Sequence, residues 1–405
     1  MILRAAWVVP VGSPPIRDGA VTVAGERITG VGPWAAAERG GAARVVDLGD
    51  AVLTPGLVNP HTHLELTCYA GRLASGPLWE WFGALLAQRR LAGRLERERR
   101  GAHEGAWESL RAGVTCVGDI SRTNNSWIAL REVPIRKVCF VEVLSLANDP
   151  PRDVDELLAA VDAIEPGPRL HVGISPHAPY TVTADTLRGA IELATRRHLP
   201  WTMHLAETPE EIAFFRGDPD ALPEMIRALC RQRGVVPPGQ PPGVWLARIT
   251  DGLTPGLIVH GNYLDDDDAR RLVDSGHTLV YCPRSHRFFG HPSYPLRRFR
   301  DAGVRLLVGT DSLASNESLS VLDELHVMHA RIDPALSPTD LLRMATLDAA
   351  AALGLAGAVG SLEADKQADI AAFPIPPDTA DPTRALIEQA PCPVGVWVAG
   401  RRVVG

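Results

Sequence analysis

The sequence predicts an α/β protein: a (β/α)8 barrel of the TIM type, flanked by a small β-sandwich built from both chain termini. Three observations predict it. Strand-like and helix-like segments alternate through the middle of the chain, the pattern of a parallel sheet. Eight strand candidates fall within roughly 300 residues, which suits a barrel of this kind. Conspicuous polar residues close those strands at their C-terminal ends, the face where such barrels carry their sites.

The N-terminal part, residues 1–52, holds short β-type runs at Ala5–Val9, Gly19–Ala24 and Arg27–Val31, separated by turn clusters such as Gly12-Ser13-Pro14-Pro15. The same texture returns in residues 363–405, at Ala368–Phe373 and Val394–Val404, so the two termini are expected to complete one sandwich. Residues 53–362 are then an inserted barrel. Its first strand candidate is Val52–Val58, followed by helical patterns over Leu78–Ala92 and Glu96–Ala112. The remaining strand candidates are Val114–Ile120, Lys137–Leu144, Leu170–Ser175, Trp201–Leu205, Leu257–His260, Thr278–Tyr281 and Val304–Val308. A longer excursion, Thr208–Thr254, separates the fifth strand from the sixth and is rich in Pro and Gly, a common place for substrate-shaping loops.

Composition narrows the function. Hydrophobic residues make up 45% and charged residues 22% of the 405, as in an ordinary soluble globular protein. A formal charge of −7 offers no basic footprint for nucleic acid and no polybasic patch for a membrane surface. No apolar run approaches a membrane span, and the N-terminus lacks a signal-peptide hydrophobic region. Cys68, Cys116, Cys139, Cys230, Cys282 and Cys392 are scattered without Cys-x-x-Cys spacing, and read as reduced thiols of a cytoplasmic protein.

The polar residues carry the chemistry. His61 and His63 close the first strand, and at strand spacing residues i and i+2 share a face, so both imidazoles can reach one point. Neutral imidazole is a common ligand of zinc and similar ions. His177 follows the fourth strand, His204 ends the fifth, His260 the sixth and Asp311 the eighth. Each alone reads as structural; six on one rim read as a site.

These residues lie in motifs that resemble the amidohydrolase superfamily, in its branch of mononuclear cytosine, guanine and adenosine-type deaminases and triazine chlorohydrolases. The motifs are Pro55-Gly56-Leu57-Val58-Asn59-Pro60-His61-Thr62-His63, His204-Leu205-Ala206-Glu207-Thr208, Gly309-Thr310-Asp311-Ser312 and the closing run Gly360–Ile370, so the resemblance spans essentially the whole chain. It implies that His61, His63, His204 and Asp311 bind one divalent ion, zinc first and iron as the alternative. His260 and Asp311 would orient water and take its proton, while Glu207 shuttles a proton to the substrate. Dinuclear relatives bridge two ions through a carboxylated lysine; Lys137, the barrel's one lysine, stands at the start of its strand, on the wrong face.

Four further residues are substrate-contact candidates. His177 resembles the histidine that touches substrate after the fourth strand. Trp79, with Trp81 and Phe82, either covers the bound ring or packs a helix. Arg284 and His286 lie where relatives carry Pro-x-Ser-Asn, so His286 replaces an asparagine, and together with His291 they either contact a polar substrate group or serve structure. The implied function is hydrolytic deamination of an aminated purine or related heterocycle. Aminodeoxyfutalosine, S-adenosylhomocysteine and 5′-deoxyadenosine are candidate substrates. The alternatives are chloride or alkylamine displacement from a triazine-like ring, and a catalytically inactive binding protein on the same scaffold. The expected partner is a small heterocycle, with neither nucleic acid nor membrane, and a homodimer is the assembly to test.

Overall fold

The computed structural model describes residues 1–38, 44–122, 125–149, 151–218 and 220–405. In chain order the strands are β1 (Ile2–Val8), β2 (Ile16–Ala24), β3 (Arg27–Pro33), β4 (Val45–Asp47), β5 (Ala51–Pro55), β6 (Leu57–Thr62), β7 (Val114–Ser121), β8 (Arg136–Val143), β9 (Leu170–Pro176), β10 (Thr202–Leu205), β11 (Leu257–His260), β12 (Thr278–Tyr281), β13 (Arg305–Val308), β14 (Ile370–Pro374), β15 (Gly395–Val398) and β16 (Arg401–Val404).

The strands form a TIM-barrel-type α/β architecture. β6, β7, β8 and β9 make one parallel sheet, and β10, β11, β12 and β13 a second. A parallel bridge between Ile174 and Trp201 links β9 to the residue before β10. At the opposite seam the Thr310 and Asp311 amides donate to the His61 carbonyl, at 3.3 and 3.2 Å, so the end of β13 meets the end of β6. Every residue of β6, β7 and β8 is buried, as expected of parallel strands covered on both faces.

The covering helices follow from periodicity and caps. Ala184–Arg197 buries Leu187, Ala190, Ile191 and Ala194 on one stripe, and the Thr183 hydroxyl accepts from the Thr186 amide at its start. Asp266–Asp274 opens with a capping box in which Asp265 and Asp268 satisfy each other's amides, so the acidic run is a helix start. The helices expected near the first strand occupy Leu78–Arg89 and Arg94–Arg111. The excursion folds into three short helices, Pro209–Phe215, Glu224–Arg233 and Pro242–Ile249.

Both termini share one eight-stranded sheet, in the order β16-β15-β14-β5-β1-β2-β3 with β4 beside β1. Here the expectation of a single strand over Val52–Val58 is corrected. β5 pairs with β14 and β1 in the terminal sheet, whereas β6 pairs with β7 in the barrel. Gly56 is the crossing point: its amide donates to the Asp369 carbonyl, and the next amide, of Leu57, donates to the Gly113 carbonyl. The apolar run is continuous because both halves are buried, so hydrophobicity alone hid the break. A buried ion pair joins the same two sheets. Arg136 of β8 meets Asp369 at 3.0 Å, with side chains 3% and 1% exposed, and Asp369 also accepts from the Ala399 amide at 2.8 Å. Removing one member would strand the other charge in the interior, at a cost of ~3–5 kcal/mol.

The crossing is tight. A Cβ on Gly56 would stand 2.1 Å from Thr115 Oγ1 and 2.3 Å from its Cγ2. Gly56→Ala is therefore expected to destabilise the fold by ~1–3 kcal/mol, the usual cost of forcing a methyl into a packed interior. Denaturant unfolding checks this; an unchanged midpoint and slope would contradict the tight crossing.

Candidate active site and metal centre

The predicted residues converge above the C-terminal ends of the barrel strands. His204 Nε2 lies 3.3 Å from His63 Nε2, and Asp311 Oδ1 lies 3.6 Å from His63 Nε2 and 3.9 Å from His61 Nε2. Ligand atoms of His61, His63 and Asp311, and likewise of His61, His204 and His260, fall within 4.8 Å of one another. Glu207 Oε1 is 3.5 Å from His260 Nε2.

The arrangement fits a cation. His61 is fully buried, and neither of its ring nitrogens has a hydrogen-bond partner among the described residues. An orphaned imidazole in a dry site is costly unless something accepts its lone pair. His204 Nδ1 donates to the His177 carbonyl at 3.0 Å, leaving its Nε2 lone pair aimed at His63. The two Nε2 atoms are 3.3 Å apart, close enough for one ion to take a lone pair from each. Tetrahedral coordination with ~2.0–2.1 Å bonds puts ligand atoms at about that separation. Burial, reinforced by neighbouring imidazoles, drives the pKa of His61 and His260 far below the ordinary value. Burial likewise takes His63 down to about 4 and His204 to about 3. All four rings are thus neutral, the form that binds metal.

Asp311 is held from one side. Ser285 and Ser315 hydroxyls donate to its Oδ2 at 2.6 and 3.0 Å, so Oδ1 is left facing the histidines. Burial raises its pKa, while those hydroxyls and His204 oppose the rise. Glu207 is raised well above the carboxylate range by burial first, then by the charges of Asp311 and Glu211, which favours a carboxyl that carries a proton.

Three residues at this rim adopt left-handed backbone without being glycine: Ala206 (φ 54°), His260 (φ 71°) and Asp311 (φ 58°). Such residues persist where surrounding bonds over-determine them. Both Glu211 oxygens accept amides, from Ala206 at 2.8 Å and Glu207 at 3.0 Å. The His260 carbonyl accepts from Tyr294 Oη at 3.0 Å, and the Asp311 carbonyl from Thr62 Oγ1 at 2.9 Å.

A cavity of about 410 Å³ opens over these groups. Its lining includes His63, His204, Glu207, His260 and Asp311, together with the predicted contacts His177 and Trp79. Trp79 packs edge-on against Phe82 and Tyr180, so it serves both the helix and the cavity wall. The excursion contributes Met225, Ile226 and Leu229 to the cover.

Two expected contacts lie elsewhere. Arg284 is absent from this lining; its guanidinium bonds Ser318, Asp323 and Glu317 at 2.7–3.1 Å. His286 spans Asn262 Oδ1 at 3.1 Å and the Pro292 carbonyl at 2.7 Å. Asn262 in turn donates to the Glu207 carbonyl at 3.0 Å, so His286 reaches the site only through the loop it props. Both are corrected to supporting roles. The reason is that the turn after β12 coils into a short helix, Pro283–Phe288, which directs Ser285 at Asp311 and the others away. Lys137 Nζ bonds the Leu130 and Val133 carbonyls, outside the cavity lining. Glu65 accepts from Ser121 Oγ at 3.0 Å.

Sequence reading missed Glu142, Glu211, Ser285 and Asn262. Glu142 was signalled by a carboxylate inside the buried strand Phe140-Val141-Glu142-Val143, and its ligand atom clusters with those of His177 and His204. His204 has a single free nitrogen, directed at His63, so it can serve only one of these groupings at a time.

The amidohydrolase family profile matches residues 52–403. A 5-methylthioadenosine/S-adenosylhomocysteine deaminase of Pyrococcus furiosus is 29% identical over 365 residues, covering 85% of this chain and 78% of the relative. An aminodeoxyfutalosine deaminase of Deinococcus radiodurans is 31% identical over 352 residues, covering 81% and 79%. Among solved structures, an adenosine deaminase of Xanthomonas campestris with bound zinc superposes with a TM-score of 0.84 at 27% identity, covering 100% of this chain and 92% of that one.

Ser285→Ala removes one of the two hydroxyls that orient Asp311. Loss of such a supporting bond typically weakens metal affinity ~10–100-fold. Chelator competition on the purified variant measures this, and unaltered affinity would mean that Asp311 is oriented without Ser285.

Proposed function

The chain belongs to the amidohydrolase family, and from that premise we propose that it is a metal-dependent hydrolase that deaminates an adenine-bearing nucleoside, releasing ammonia. The observation that carries this reading is Glu207, a buried carboxyl biased toward its protonated form and 3.5 Å from His260 at the wall of the cavity. Replacing an amino group on an aromatic ring requires a proton on the ring nitrogen and another on the departing amine, and this carboxyl supplies a donor in place. The relatives that bear deaminase names support the same reaction class.

His61, His63, His204 and Asp311 would hold one divalent ion. Zinc is the choice because the donors are imidazole and carboxylate, and the Xanthomonas campestris structure carries zinc. When bound, such an ion acidifies water toward a pKa of ~7 and so supplies the hydrolytic oxygen at neutral pH. The chain's residues do the rest. His260 orients the attacking water through Nε2, and Asp311 accepts its proton. Glu207 delivers its proton to the ring nitrogen beside the attacked carbon; of the water's two protons, one passes from Asp311 to the amine as the carbon–nitrogen bond breaks and the other restores Glu207. His177 bonds the heterocycle from the opposite side, with its Nδ1 anchored on Thr181 Oγ1 at 2.9 Å. Trp79, Phe82 and Tyr180 exclude water above it. We read the β6–β13 strands as a closed eight-stranded barrel, with residues 1–52 and 363–405 as one flanking β-domain.

Ammonia release from metal-loaded protein tests this. Adenosine, 5′-methylthioadenosine, S-adenosylhomocysteine and aminodeoxyfutalosine are compared with a chlorotriazine. Ammonia with conversion of adenine to hypoxanthine is expected; chloride from the triazine and none of this from any nucleoside would refute it. Glu207→Gln nearly preserves shape and should keep metal content while lowering kcat ~10²–10⁴-fold. Near-normal turnover at full metal content would end the proton-shuttle role.

A further inference from the structure

One buried carboxyl group behind Asp311 has no part in the chemistry above. Glu324 lies in the helix Val321–Val327, fully buried and absent from the cavity lining, so it acts only through other residues. The nearby Arg284 guanidinium does not pair with it, bonding Ser318, Asp323 and Glu317 instead. A buried carboxyl without a paired cation is costly unless its oxygens accept hydrogen bonds. Here both oxygens do. Oε2 accepts from the Arg284 amide at 2.9 Å, and Oε1 from Asn316 Nδ2 at 2.7 Å. Burial pushes the carboxyl up to about 8, while the Arg284 charge and these two donors oppose the rise.

Each bond leads to Asp311 by a different route. The first meets the short helix Pro283–Phe288 at its start, where Cys282 supplies no side-chain cap. A first-turn amide has no acceptor within its own helix, and Glu324 satisfies the one at Arg284. The next residue is Ser285, whose hydroxyl donates to Asp311 Oδ2 at 2.6 Å. The second route runs through Asn316, whose Nδ2 also donates to the Thr310 carbonyl at 2.7 Å. Thr310 immediately precedes Asp311, whose left-handed backbone has to be held by its surroundings. Asn316 also follows Ser315, the second hydroxyl on Asp311 Oδ2. One carboxyl group thus holds the helix that aims one serine and the loop that carries the other.

We propose that Glu324 is a positioning residue for the metal centre, a buried clamp that sets the backbone and carboxylate of Asp311 and thereby the affinity for zinc. This rests on the reading of Asp311 as a metal ligand.

Glu324→Gln in the full-length protein tests it, with zinc affinity measured by chelator competition. The amide keeps the shape of the side chain, but its NH2 has to face one of the two donors, so one arm is lost. Zinc is expected to bind ~10-fold more weakly, the lower end of the range for groups that orient a metal ligand. The effect should also overlap with that of Ser285→Ala, because both act on the same carboxylate. The double variant is then expected to lose much less than the product of the two single losses. Unaltered zinc affinity overturns the proposal, even where the zinc-free protein unfolds at lower denaturant, since that pattern is packing alone. Losses that multiply in the double variant overturn it as well, by placing Glu324 outside the Asp311 route. Should Glu324→Gln fail to fold, Asn316→Ala removes the second arm and leaves Glu324 in place. A fall in zinc affinity is expected there too, and unchanged affinity refutes the clamp. An unmodified protein that takes up no zinc removes the reading of Asp311 along with it. Equal affinity in the unmodified protein and the variants removes the clamp alone.

Discussion

Everything at the rim of this barrel serves the convergence of imidazole lone pairs and one carboxylate oxygen on a buried point. Burial there favours the neutral rings, the form that binds a cation. The neighbouring structure is explained by that demand. The His177 carbonyl fixes the His204 tautomer, Ser285 and Ser315 turn Asp311, and the left-handed turns at Ala206, His260 and Asp311 are each tied down by specific bonds. His260 ends β11, Ala206 directly follows β10 and Asp311 lies three residues beyond β13, so the strain is stored where a rigid strand hands over to a loop. Glu211 does this most economically, holding the Ala206 and Glu207 amides with two oxygens and so fixing the residue proposed to move the proton.

The site also needs a fixed floor. The chain enters the barrel at Gly56 directly from the terminal sheet, and the Arg136–Asp369 pair ties β8 to the segment before β14. Because β6 carries His61 and begins one residue after that crossing, the terminal sheet sets the position of the first proposed metal ligand. The cavity cover is built differently. It comes from short helices of the excursion and from Leu78–Arg89, which contribute apolar and aromatic side chains instead of strand ends. Chemistry is thus carried by the strands, and substrate choice by the segments between them.

Much of this was legible in the sequence, for a physical reason. Polar residues at strand ends announce themselves, since His61-x-His63, His204, His260 and Asp311 each close or follow an apolar run that predicts the strand beneath. The supporting residues do not. Ser285 and Glu211 look like ordinary loop and helix-start residues, and their roles exist only after β12 and β10 bring them to Asp311 and Glu207. Arg284 and His286 show the converse error: their motif position was right, but a one-turn helix points Ser285 inward and leaves them to bond Glu317, Asp323, Asn262 and Pro292. The break at Gly56 was invisible because burial on both sides leaves no polar residue to mark it.

The central claim is a single divalent ion held by His61, His63, His204 and Asp311. Anomalous diffraction from crystals of the natively purified protein, with elemental analysis of the same sample, tests it most directly. The account predicts one equivalent of metal per chain and one anomalous peak bonded to those four side chains. Two equivalents, with a second peak between Glu142 and His177, or a lone peak that leaves His61 unbound, would contradict it.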